Sequence, residues 1–131
     1  AGTSTLITTA SQVYGKNWPG GGVIVRPEFA KAHPDVVVDL LRYIAKAEAL
    51  LKQHPQQAYQ ALATQSKTSL ENVSYCYTHD LVQPAAVVPD KAAMVAQATV
   101  LKQFGVINVP DVTAFIDELV HPEFASKAVA P

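Results

Sequence analysis

Tyr14, Lys16, Asn17 and Trp18 crowd into one stretch, SQVYGKNWPGGG, from Ser11 to Gly22. Two large aromatics, an amide and an amine on one loop could wall a small ligand, hydrogen-bond to it and supply charge to an anion. A structural alternative stands beside this: Trp18 caps the core while the glycine-rich backbone turns next to it. Elsewhere the reactive residue types do not assemble. His33, His54 and His121 each directly precede proline, where a cation near a helix C-terminus is favourable. Capping therefore accounts for them better than metal binding. No HxxxH, CxxC or HExxH spacing exists, which leaves zinc unsupported. Ser11 and Ser69 lie in no GxSxG context, so a hydrolase triad fails. Cys76 stands between tyrosines and three residues from His79. A Cys–His nucleophile is conceivable there, but a buried structural thiol accounts for it better. Gly20, Gly21 and Gly22 lack the Lys-Ser/Thr of a phosphate-binding loop and precede a strand-like run. The pattern implies binding without chemistry: not an enzyme, with no cofactor and no metal.

The elements that must position this loop come next. Leu6 to Ala10 reads as a strand, and Val23-Ile24-Val25 as a second short one. Pro27 stops the second, and Glu28 to His33 reads as a helical turn. Pro34 opens a long amphipathic helix in which Val37, Leu40, Leu41, Ile44, Ala47 and Leu51 line one face. His54-Pro55 ends it, and another helix starts at Pro55, with Ala58, Tyr59 and Leu62 inward. A break at Ser66 to Ser69 leads to a third helix ending near His79, with Thr68 to Glu71 at capping-box spacing. The fourth runs from about Asp90 to Phe104 and is stopped by Gly105. Asp111 starts a fifth, with Val112, Phe115, Ile116 and Leu119 as its stripe. His121-Pro122 closes it, and the remainder is expected as a frayed turn.

Composition bounds the function classes. The 131 residues amount to one domain, 49% hydrophobic and 16% charged, with net charge −1. That balance excludes a disordered chain and gives no electrostatic case for nucleic acid or an anionic membrane. The apolar runs are too short to span a bilayer. A single cysteine allows no intrachain disulfide. No second copy of "AEALLKQHPQQAYQALA" recurs at a fixed period, which counts against a helical-repeat array. The echo between PEFAKA (from Pro27) and PEFASKA (from Pro122) falls in unlike contexts.

The succession VIVRPEFAKAHPDVVVDLLRYIAKAEALLKQHPQQAYQALA, a further helix, then DKAAMVAQATVLKQFGVINVPDVTAFID resembles the C-terminal part of periplasmic solute-binding proteins of ABC importers. The branch is the aliphatic-sulfonate, taurine and nitrate group. The features that carry the resemblance are a basic residue, here Arg26, followed by Phe29-Ala30-x-x-His33-Pro34. His54 to Ala58 and Phe104 to Ile107 complete it. The resemblance implies an α/β fold: the C-terminal portion of a two-lobe (type II) binding protein, with two short strands before a mostly helical segment. It implies crossover and hinge strands with a cleft loop over 1–27, and the helical part of the first lobe over 28–131. Its partners would be a small, anionic solute, the membrane permease, and a missing N-terminal half or partner chain that covers the strands. Location would be periplasmic, with the signal peptide outside this chain. Tyr14, Lys16, Asn17 and Trp18 are the expected ligand contacts, and Arg26 an ion-pair residue. Two rivals remain: a thiamine-pyrimidine-synthase-like enzyme of the same fold family, which carries a cysteine cluster where this chain has Cys76 alone, and a stand-alone helical interaction module.

Overall fold

The structure, a computed structural model, describes residues 7–14, 19–79, 81–82 and 86–130. Among these residues there are eight helices and no strand. The α/β expectation with its two strands is therefore corrected to an all-helical fold.

Each expected strand fails for a local reason. At Ala10–Tyr14 the chain forms a short helix, α1. Thr9 and Gln12 form a reciprocal box that starts it. The Gln12 backbone N–H donates to Thr9 Oγ1 at 3.2 Å, and the Thr9 N–H donates to Gln12 Oε1 at 2.9 Å. Two helix-start donors are satisfied within four residues, which outweighs the β propensity of a Thr-rich run. Residues 21–26 form no helix and no strand, and Ile24 is 96% exposed. A strand needs neighbours for its backbone groups, and a segment this short has no stability of its own. Arg26, at φ −65° and ψ 137°, is extended as a residue before proline must be.

The described chain divides into two compact units. The first comprises the described residues within Ala1–Gly20 together with Pro89–His121. Its main helices are α6 (Lys91–Gln103) and α7 (Val112–Leu119), packed against each other. Ala98, Ile116 and Val120 are buried at the contact, and Met94, Val95, Ile107, Val112 and Phe115 close around them. Asp90 and Asp111 cap the two N-termini, accepting from the Ala93 and Ala114 N–H groups at 3.0 Å each. After α6, Gly105 takes φ 70°, its N–H bonding Lys102 O and the Val106 N–H bonding Leu101 O. This is a Schellman end, in which glycine adopts the left-handed conformation without a Cβ clash.

The second unit, Gly21–Val88 with Pro122–Pro131, carries α2 (Pro27–Ala32), α3 (Pro34–Gln53), α4 (Pro55–Ser66), α5 (Leu70–Thr78) and α8 (Pro122–Val129). Successive helices α2 to α5 pack on their neighbours, and α8 returns to pack on α3. Proline occupies the first turn of α2, α3 and α4, where its fixed φ suits a helix and its missing N–H costs no bond. Those three helices have no side-chain N-cap bond. In contrast, Ser69 caps α5 by accepting from the Asn72 N–H at 3.1 Å; the expected Thr68–Glu71 box is replaced by this bond one residue on. Lys67 ends α4 in the left-handed region at φ 52°, and the Thr68 N–H reaches Ala63 O. The expected frayed turn at the end is instead α8. Its Ala125 and Ala128 are buried, and small side chains there let the helix approach α3 closely. The PEFA echo has a physical basis as well: proline followed by an acidic residue opens both α2 and α8.

Candidate functional site

The four expected ligand contacts meet the structure unevenly. Tyr14 is the last residue of α1; its side chain, and all of Lys16, Asn17 and Trp18, lie outside the described residues. Pro19 O accepts a 3.1 Å hydrogen bond from Gln97 Nε2 on α6, in a half-buried contact. The carbonyl next to Trp18 is thus anchored on the α6–α7 unit, downstream of a residue type suited to ligand contact.

Two histidine positions show how backbone, and not imidazole, ends these helices. The His33 N–H donates to Phe29 O at 2.8 Å and the His54 N–H to Leu50 O at 2.8 Å. Neither side chain makes a capping bond. His33 closes α2 and opens α3, and His54 closes α3 and opens α4. A charge on either ring would be favoured by one helix end and opposed by the next, which removes the dipole argument for these two. His33 instead sets its ring against Phe29, with centroids 5.0 Å apart.

Cys76 is half-buried on α5. His79 turns to other partners: its ring stacks on Tyr75 at 4.0 Å, and Nδ1 lies 3.0 Å from Tyr75 O and 3.1 Å from Thr78 Oγ1. Across the α4–α5 hairpin, Tyr59 stacks on Tyr77 at 5.1 Å. This aromatic arrangement packs two helices together. Arg26, expected in an ion pair, is exposed; ion pairs among the described residues include Arg42–Asp39, Lys52–Glu48 and Lys91–Asp117. Among the described residues no group of three or more His, Cys, Asp or Glu side chains is placed to hold a metal ion. None of the buried residues among those described is polar or charged. The hollow beside α4, lined by Gln56, Gln57, Gln60 and Thr64, is an open surface.

The pronounced surface feature is one that the single-stripe reading of α3 passed over. Val37 is buried and Leu41, Ile44 and Leu51 are half-buried, but Leu40 and Ala47 are exposed. These last two belong to a separate line with Val36, Tyr43 and Leu50, all exposed. The steps along it are 4, 3, 4 and 3, a heptad seam beside the core-facing one. The signal was present in VVVDLLRYIAKAEALL, which is apolar at two adjacent registers. No protein-family description, curated protein or solved structure matches this chain.

Proposed function

We propose that the chain is the helical part of a solute-binding component of an ABC importer, capturing a small anionic solute of the sulfonate, taurine or nitrate kind for a membrane permease. The observation that supports the reading is the corner at residues 26–37. The motif Phe29-Ala30-x-x-His33-Pro34 takes the form of a one-turn helix, a bend at His33 and a long helix from Pro34. The same bend recurs at His54-Pro55, with His33 at φ −136°, ψ 56° and His54 at φ −133°, ψ 61°. Phe104-Gly105-Val106-Ile107, the third motif, supplies the left-handed end of α6. The reading thus rests on helix corners and no longer on strands. Function in it is capture and release outside the cytoplasm, with Tyr14, Lys16, Asn17 and Trp18 as the solute contacts.

Trp18 is the sole tryptophan, so intrinsic fluorescence reports on that loop alone. Titration with taurine, an alkanesulfonate and nitrate is expected to shift Trp18 emission saturably for one of them. Calorimetry on the protein as the cell makes it should give a matching affinity and a raised melting temperature, since a ligand at about 100 times Kd adds roughly 2.7 kcal/mol. No heat and no thermal shift with any of the three would sink the reading. A helical module that docks on another protein is the second reading, favoured by the exposed seam on α3. Binding of a protein partner without any solute response would select it.

A further inference from the structure

The seam on α3 is self-complementary, and we infer that it pairs two copies of this chain, α3 against α3, antiparallel about a twofold axis. Val36, Leu40, Tyr43 and Leu50 are 49%, 45%, 69% and 47% exposed, so each has apolar surface left to bury. Ala47 completes the line. Spacing of 4, 3, 4, 3 is what a second helix demands, because it keeps the apolar line facing a partner crossing at about 20°. A flat protein surface or a bilayer makes no such demand.

Charge selects the second copy as occupant and fixes the register. One flank of the seam faces the chain's own core through Val37, Ile44 and Leu51. The other flank carries Asp39 and Lys46, one turn-pair apart and of opposite sign. In an antiparallel pair, residues of this outer flank meet their own equivalents' flank. With Leu40 layered on Tyr43 and Val36 on Ala47 of the second copy, Asp39 meets Lys46 and Lys46 meets Asp39. Sliding one copy by a heptad in either direction would set Asp39 against Asp39 or Lys46 against Lys46. Only one register satisfies both charges, and in it Leu40 stacks on Tyr43 twice about the axis. The symmetry is isologous and closes at two chains.

Neither charge is locked away from this use. Asp39 pairs with Arg42 one turn on, and Lys46 lies 5.4 Å from the Tyr43 ring centroid. Both contacts are within one helix and exposed, and such pairs hold weakly. Arg42 sits beyond the flank and can share Asp39 with Lys46 of the second copy. In this register the paired layers run from Val36 to Ala47, eleven residue steps or about 17 Å, and Leu50 lies beyond them. A seam of that length gives a small interface, at the weak, reversible end of protein association.

Sedimentation velocity of the chain, from about 1 to 200 µM, is the test, with circular dichroism confirming helicity of each variant. The expected result is a monomer–dimer equilibrium. Tyr43→Glu, at an exposed position that leaves the core intact, is expected to yield monomer throughout. Lys46→Asp replaces two attractions by two repulsions and is expected to weaken the dimer about tenfold. Adding Asp39→Lys to it restores opposite signs, and the affinity should return. A chain monomeric throughout the range overturns the proposal, and so does a dimer indifferent to Tyr43→Glu. Loss with Tyr43→Glu but no rescue by the double reversal overturns the register and with it the choice of a second copy in this arrangement. None of these outcomes depends on whether a solute binds.

Discussion

The α6–α7 unit and the long helix α3 solve the same problem to different degrees. Both begin with an amphipathic helix of three or more turns. In α6–α7 a capped helix meets a capped helix, and Ile116 and Val120 close against Ala98 with five further apolar residues around them. In α3 the apolar band is wider than its covering helices. Val37, Leu41 and Ile44 are turned inward while Val36, Leu40 and Tyr43 face out. The comparison separates two quantities that hydrophobic periodicity conflates: apolar character, which the residues carry, and burial, which only a neighbour can supply. A period of 3.6 says where a face is, not how many neighbours it will find.

Truncation should expose that difference most. Ile116 is 3% exposed and Leu40 is 45% exposed, though both are large aliphatics at stripe positions. Ile116→Ala is expected to lower unfolding free energy by about 2–5 kcal/mol in urea denaturation, through lost transfer energy and the cavity left behind. Leu40→Ala at concentrations favouring monomer should cost under about 1 kcal/mol. Equal losses would mean that the seam is covered in the single chain, and the contrast drawn here would collapse. A smaller effect sharpens the contrast at helix starts. Asp111→Ala removes the acceptor for the Ala114 N–H and is expected to cost about 1 kcal/mol. The helices α2, α3 and α4 have no such bond to lose, so Asp35→Ala at the start of α3 should fall below about 0.5 kcal/mol. The smallest change should stabilise. Lys67 ends α4 at φ 52°, where Gly105 ends α6 at φ 70°. Lys67→Gly relieves the Cβ strain of the left-handed conformation and is expected to add about 0.5–1 kcal/mol, read as a rise in the denaturation midpoint.

Helix identity was written plainly in the sequence wherever period and punctuation agreed. Pro34 and His54-Pro55 bracket α3, Pro55 opens α4, and Asp90, Gly105 and Asp111 mark helix ends within a residue or two. Errors gathered where a segment's fate depends on partners. Val23-Ile24-Val25 has β-branched residues but no neighbouring strand among the described residues. Thr9 and Gln12 were readable as a reciprocal cap, a signal overridden by the apparent strand from Leu6. The end of the chain looked frayed because alanines carry little apolar weight individually; yet Ala125 and Ala128 matter because they are small enough to seat α8 against α3. Of the expected ligand contacts, three and the Tyr14 side chain fall outside the described residues. The hydrogen bond from Gln97 to Pro19 O joins positions 78 apart in sequence, a pairing no local pattern encodes.

The return of α8 to α3 sets the order in which this unit can be built. Every other helix contact in it joins neighbours in the chain, α2 with α3, α3 with α4, and α4 with α5. Such pairs close short loops and can form while synthesis continues. The α8 contact must wait for α6 and α7 to be made, so α3 spends most of translation with a second flank bare. Its core-facing seam is then as available to a chaperone, or to a neighbouring nascent chain, as the outer one is afterwards. Slowing translation between α5 and α8 should lengthen that interval, and aggregation would be its cost.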